Sequence, residues 1–242
     1  MSPIASVCVC SDYFNVNDDG ELCLNPGTMG LRQTRYFKEP GTFQFAKDDY
    51  PWLARVRVLV QGGGGGSAGA NAASNECIVR PGAAGGGYAE AMVDASALGA
   101  VETIVVGAGG AAGTSNGAGG AGGTSSFGGY AVALGGDGST AAQSSGTVPD
   151  AVQGTVGPFA SSGDMASGGG SGAGGIRLSG TNGLSGQGGD SRLGHGGFPR
   201  TTDGPGTAPR GYGGGAGGAL SLGDSQPGFD GGAGIVIIEL YG

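Results

Sequence analysis

The chain is 242 residues long, and 61 of them are glycine against 12% charged and 7% aromatic residues, so a conventional hydrophobic core would be thin. The formal net charge is −8, and beyond residue 80 the only cations are Arg177, Arg192, Arg200 and Arg210, which argues against nucleic-acid binding through a basic face. No apolar run approaches the roughly 18 residues of a membrane-spanning helix, and Met1-Ser2-Pro3-Ile4-Ala5-Ser6 lacks the charged and apolar regions of a secretory signal, so neither membrane insertion nor export by that route is expected.

Residues 1–39 read differently from the rest. Residues 7–10 and 13–16 are short strand candidates, and Asn17-Asp18-Asp19-Gly20 is a turn leading into residues 21–24, so a small β-hairpin module is predicted. The spaced carboxylates of a twelve-residue calcium loop are missing, which favours a simple turn. Cys8, Cys10, Cys23 and Cys77 match no zinc or redox spacing. Buried reduced thiols are the first expectation; a disulfide and a metal site with the single histidine, His195, are the alternatives.

From residue 40 the chain alternates strands with glycine. Residues 40–45 form a short alternating segment, and residues 55–61 place Val56, Val58 and Val60 on one face at period two. That strand runs directly into Gly62-Gly63-Gly64-Gly65-Gly66. Strands are also predicted over residues 88–93 and 102–106, the second feeding Gly107, and over residues 235–240 near the end.

The glycines between these strands are phased. Positions 107, 110, 113, 119 and 122 share one phase of three, and 117, 120 and 123 share another. The spacing returns at 180, 183, 186 and 189, at 211, 214 and 217, and at 228, 231 and 234. A polyproline-II-type helix has three residues per turn, rises about 3.1 Å per residue and makes no internal hydrogen bonds, so glycine at each third position lets neighbouring helices supply them. A flexible linker needs neither this phasing nor bracketing strands, and a collagen register would be unbroken and richer in proline. As one helix, residues 107–123 would span about 50 Å, with interruptions shortening it.

Two stretches, residues 139–167 and 190–210, break the phasing and are expected to be long loops, where binding residues tend to lie. The second carries Arg192, His195, Phe198, Arg200 and Arg210, with Tyr212 just beyond. These six are the candidate receptor-binding residues, able to stack on and hydrogen-bond a sugar, or to pack against another subunit.

Catalytic motifs are weak. Gly65-Gly66-Ser67-Ala68-Gly69 fits a hydrolase nucleophile elbow, but no helix follows, and such patterns arise by chance in this composition. No lysine follows a glycine loop to hold a nucleotide phosphate, and no carboxylate pair stands out. No catalytic residue, cofactor or metal is assigned, and the chain is read as a non-enzyme.

The series Pro40-Gly41-Thr42-Phe43-Gln44-Phe45, the residues 55–61 with their glycine run, and Gly86-Gly87-Tyr88-Ala89-Glu90 resemble the glycine-rich domain of bacteriophage minor tail and tail fibre proteins. Ile104-Val105-Val106-Gly107-Ala108-Gly109-Gly110, Gly123-Thr124-Ser125-Ser126-Phe127-Gly128 and Gly232-Ala233-Gly234-Ile235-Val236-Ile237-Ile238-Glu239 extend the resemblance over residues 40–242. It implies a virion protein of the tail tip or fibre, made in the host bacterial cytoplasm, with a role in attachment. Phage adhesins of related style carry polyglycine-II helices whose loops read the receptor.

The expected fold is mainly β and irregular: a small β-sheet base with a bundle of polyglycine-II helices joined by long loops, and little or no α-helix. Residues 1–39 would be an attachment module docking on other phage tail proteins, a homotrimer being one arrangement. Residues 40–242 would present loops to a bacterial cell-surface glycan. Two other readings stay open: a purely structural packing subunit of the tail tip, and a secreted ice-binding protein, against which stand the missing export signal and the absence of Thr-X-Thr ladders.

Overall fold

The computed structural model describes residues 11–25 and 29–242; the strand expected over residues 7–10, with Cys8 and Cys10, lies outside them. The base of the molecule is two antiparallel sheets packed face to face. One has the strand order Met165–Ser167, Tyr88–Asp94, Arg55–Gln61, Ile235–Tyr241, Leu31–Phe37. The other runs Ala131–Ala133, Ser125–Phe127, Val101–Val106, Gly41–Ala46.

Alternation decides which side chains face inward. Val56, Val58 and Val60 stand beside Val93, Ala91 and Ala89 on one flank and Leu240, Ile238 and Val236 on the other, and all are buried. Phe45, Ile104, Val106 and Phe127 meet them from the second sheet. Phe45 lies parallel to Tyr50 with ring centroids 5.3 Å apart and meets Phe127 edge-on at 5.7 Å. Burying each large side chain contributes about 1.5–3 kcal/mol, so this small core is concentrated where the sheets overlap.

The strand Leu31–Phe37 is an edge of the first sheet, with Phe37 opposite Val236 and Gln33 opposite Leu240. That sheet therefore crosses the boundary expected between residues 39 and 40. Before it, Phe14–Val16 pairs with Leu22–Leu24 as the predicted hairpin. Its turn uses Gly20 at φ +80°, a conformation that favours glycine, and Asn17 Oδ1 accepts from the Glu21 N–H. Among the described residues the only helical element is the single turn Lys47–Asp49.

The glycine region is an ordered lattice of extended segments. In residues 62–69, Gly62 and Gly65 donate to the carbonyls of Gly87 and Ala84. Gly63, Gly66 and Gly69 donate to Gly123, Gly120 and Gly117, while Gly64 and Ser67 donate to Gly232 and Phe229. The donors rotate through three neighbours with a period of three residues, as a polyglycine-II helix requires. Its carbonyls serve three further segments: Gly64 and Ser67 accept from Gly110 and Gly113, Gly63 and Gly66 from Gly136 and Ser139, and Gly65 from Ala216. This central segment is thus surrounded on all sides by backbone.

Residues 82–87 repeat the rule. Gly82 and Gly85 donate to Ala173 and Gly170, Ala83 and Gly86 to Ala216 and Gly213, and Ala84 and Gly87 to Asp137 and Leu134. The approach leaves no room for side chains: a Cβ at Gly64 would lie 2.0 Å from the Gly214 oxygen, and one at Gly119 1.9 Å from the Gly66 oxygen. Gln61, at the junction, ties sheet to lattice by donating from Nε2 to the carbonyls of Gly86 and Gly87.

One sequence expectation changes and two are refined. Residues 107–123 are two segments and not one, because the chain reverses where the Gly117 N–H donates to Thr114, with Ser115 at φ +52°. The returning segment pairs with the outgoing one, Gly120 to Ala111 and Gly123 to Ala108. The stretch 139–167 is mostly irregular but pinned at intervals: Ser139 donates to Gly66, Asp150–Val152 pairs with Gly175–Arg177, and Met165–Ser167 joins the first sheet. The stretch 190–210 is likewise tied into the lattice where Gly188 donates to Gly197 and Gly197 to Gly215. Sequence phasing failed there because a lattice contact needs glycine only at the point of closest approach, and the flanking residues are free.

Two buried arginines close the end of the bundle remote from the sandwich. Arg80 is fully buried and donates to Gly69 O, Gln143 O and Asn116 Oδ1 at 2.7, 2.9 and 2.7 Å. Burial without a carboxylate lowers its pKa to about 10. Arg177 donates to the carbonyls of Val148, Cys77 and Ser144, and pairs with Asp150 at 3.6 Å. Terminal carbonyls that the lattice leaves open are satisfied by these guanidinium groups.

Candidate binding surface

The outward face of the first sheet follows from the same alternation that fills its core. With Val56, Val58 and Val60 inside, Arg55, Arg57 and Leu59 project outward, beside Glu90 and Met92 on one neighbour and Ile237, Glu239 and Tyr241 on the other. The register makes a continuous polar chain. Tyr88 Oη donates to Glu90 at 2.9 Å, Glu90 pairs with Arg57 at 3.2 Å, Arg57 with Glu239 at 3.5 Å, and Tyr241 Oη donates to Glu239 at 2.9 Å.

Both ends carry a cation over an aromatic ring. The Arg192 guanidinium lies 5.3 Å from the Tyr88 ring centre, and that of Arg55 5.5 Å from Tyr241. Burial, and then the bond to Glu90, pushes the Tyr88 phenol up to about 12. The Tyr241 phenol is raised mainly by its bond to Glu239, and Arg57 is raised chiefly by Glu90.

Beside this chain an open groove of about 380 Å³ is lined by Tyr36, Lys38, Leu193, Tyr212, Ile235 and Ile237. Its floor is the Ile235–Tyr241 strand, one wall is the edge strand and the other comes from residues 193 and 212. That second wall is fixed in place: Tyr212 N–H donates to Leu193 O, and Ser191 Oγ donates to Tyr212 O.

The six residues singled out from sequence do not form one cluster. Arg192 and Tyr212 reach the sheet face as described. His195 and Arg210 are opposite one another where Gly194–His195 pairs with Arg210–Gly211, and His195 Nδ1 is 3.6 Å from Asp190. Phe198 and Arg200 lie elsewhere: the Arg200 N–H donates to Ser185 Oγ, its Nε to Pro205 O, and its guanidinium is 5.9 Å from the Phe198 ring.

Tyr36, Lys38, Arg57, Glu90, Glu239 and Tyr241 were not singled out from sequence. The signal was present for three of them, as polar residues at the odd positions of strands whose even positions are apolar, but their convergence needs the strand order.

The Ser67 hydroxyl is fully buried and accepts from the Phe229 N–H at 2.9 Å. Cys77 is a buried free thiol whose pKa is raised by burial, and Cys23 is free and half-buried. Among the described residues no group of His, Cys, Asp and Glu side chains is placed to hold a metal ion, and no helix is long and apolar enough to cross a membrane.

Compared with known protein families, residues 39–241 match the sequence model of a family described as a glycine-rich domain. No curated protein matches the chain.

Proposed function

The chain belongs to the glycine-rich domain family, and from that premise we propose that it is a structural and adhesive protein of a bacteriophage tail, placed at the tail tip or in a fibre. One observation carries the reading: the segment 62–69 is hydrogen-bonded on every side to other glycine segments and continues a strand of the sandwich without a break. Such a unit is joined to the sheet at one end and to its neighbours along its length. It suits a part that must hold a surface in a fixed position against a cell.

In this reading the hairpin of residues 14–24 docks on other tail proteins, since Tyr13, Val16, Leu22 and Leu24 are exposed on it. The outer sheet face and its groove meet the bacterial surface. Purified protein is expected to bind host cells and to slow adsorption of the phage. Absence of binding together with unimpaired adsorption counts against the adhesive part.

A specific observation favours the second reading, a packing subunit without receptor binding. On the three-stranded sheet of Asp150–Val152, Gly175–Arg177 and Gly183–Leu184, the side chains of Ala151, Ile176 and Leu184 form one exposed row. Replacing Ile176 and Leu184 by serine would then block tail assembly and leave adsorption of assembled particles unchanged.

A further inference from the structure

We propose that the groove between Tyr36 and Tyr212 binds an acidic sugar unit of a surface glycan, so that recognition lies on the sheet face and not on the turns of the glycine bundle. The proposal rests on the adhesive reading above and deepens it.

The groove has the shape and chemistry for such a unit. Its volume of about 380 Å³ lies within the range of small-molecule sites, and it is open along its length, as a polymer needs. Ile235 and Ile237 make an apolar floor, while Tyr36 and Tyr212 offer ring faces with hydroxyl tips. A pyranose presents the matching pattern, apolar C–H faces edged by hydroxyl groups. Tyr36 is 59% exposed, so a ring laid on it removes apolar surface from water.

Charge selects the acidic class. The chain carries a net charge of −8, yet Lys38, the cation that lines this groove, has no carboxylate partner among the described residues. Lys38 Nζ lies 5.7 Å from the Tyr36 ring, and Arg192, next in sequence to Leu193, lies over Tyr88. The carboxylates of Glu90 and Glu239 share the single guanidinium of Arg57, and neither is within ion-pair distance of Lys38. A carboxylate or phosphate on the sugar would pair with the Lys38 ammonium.

The edge strand beside the groove offers a different occupant, an extended peptide, and the test separates the two. Trigalacturonate, the neutral sugar galactotriose and an aspartate-rich peptide are titrated into the whole protein and followed by chemical-shift mapping. Trigalacturonate is expected to bind at least tenfold more tightly than either of the others, with shifts centred on Tyr36, Tyr212 and Ile237.

Tyr36→Ala and Lys38→Ala are each expected to weaken it at least fivefold with an unchanged melting temperature, whereas Phe198→Ala leaves it unaltered. Equal binding of the peptide, shifts centred elsewhere, or no binding of trigalacturonate in the millimolar range overturns the proposal. Host-cell binding separates the two levels. If the protein binds cells and Tyr36→Ala with Lys38→Ala binds equally well, the groove assignment fails and the adhesive reading stands. If the unaltered protein does not bind cells, the adhesive reading fails and the groove assignment with it.

Discussion

Val58 and Gly64 are six residues apart on one continuous extended segment, and they are held by opposite means. Val58 fills space between two sheets, flanked by Ala91 and Ile238, and its value lies in its side chain. Gly64 has no side chain to contribute, and its value lies in the approach of the Gly214 carbonyl. The sandwich is ordered by burial, which is roughly proportional to area and tolerant of small changes in shape. The bundle is ordered by many backbone bonds, each contributing a net of about 0.5–1.5 kcal/mol, so it holds only while they form together. Outward-facing residues of the sandwich are free to be polar, whereas the closest approaches in the bundle admit only glycine.

The sharpest way to break the comparison is one methyl group in the lattice. Gly64→Ala would place its Cβ 2.0 Å from the Gly214 oxygen, a clash with backbone that no rotamer relieves. The expected result is loss of the folded state, a cost above about 4 kcal/mol, seen as lost cooperative unfolding. Gly129→Ala is the control, since nothing lies within 4 Å of a Cβ there, and it should unfold like the parent protein. Equal stability of the two variants would sink the idea that close backbone approach orders the bundle.

In the sandwich, Phe127→Ala is expected to cost about 3–5 kcal/mol by leaving a cavity beside Phe45, measured by denaturant midpoint with a normal slope. Arg80→Met tests the far end of the bundle. It removes the donors to Gly69 O, Gln143 O and Asn116 Oδ1 while filling similar volume, and a loss of about 3 kcal/mol is expected. Amide exchange should rise first in residues 66–69 and 143. An unchanged exchange pattern would show that the guanidinium is not what closes those segments.

How far the sequence carries one follows the same division. The strands 55–61, 88–93, 102–106 and 235–240 were legible from local signals, period-two alternation in 55–61 and runs rich in Ile and Val in 102–106 and 235–240. The threefold glycine spacing was legible too, and with it the type of helix.

Partner choice was not legible, since every glycine segment offers the same backbone to every other. In residues 107–123 the local sign that the chain folds back at Ser115 and Asn116 is the Asn116-Gly117 dipeptide, a turn signal that the glycine phasing on either side obscures. The edge strand Leu31–Phe37 was missed because Arg32, Gln33, Thr34 and Arg35 show no apolar alternation; it is a strand because Ile235–Tyr241 offers it a ladder. Of the candidate site, Arg192 and Tyr212 were found through composition. The groove that Tyr212 shares with Tyr36 and Lys38 depends on strand order, a tertiary property.

The smallest effect tests whether the outer face of the sandwich is as structured as its core. Tyr88 is buried on that face, and its phenol is raised from 10 to about 12 by burial and by Glu90. A group whose folded pKa lies above its unfolded value stabilises the fold fully below the unfolded value, and that stability is lost as pH rises through the folded one. Stability should therefore decline between about pH 10 and pH 12, by on the order of 2 kcal/mol. Arg80, lowered from 12.5 to about 10, acts with the opposite sign in this window, so total stability alone does not report Tyr88. The difference between the protein and Tyr88→Phe removes the Arg80 contribution. That difference should be about 1 kcal/mol at neutral pH, reflecting the bond to Glu90, and should reverse in sign toward pH 12. A difference that stays constant from pH 8 to pH 12 would mean that the phenol is solvated, and that the polar chain from Arg192 to Arg55 is a loose surface and not part of the fold.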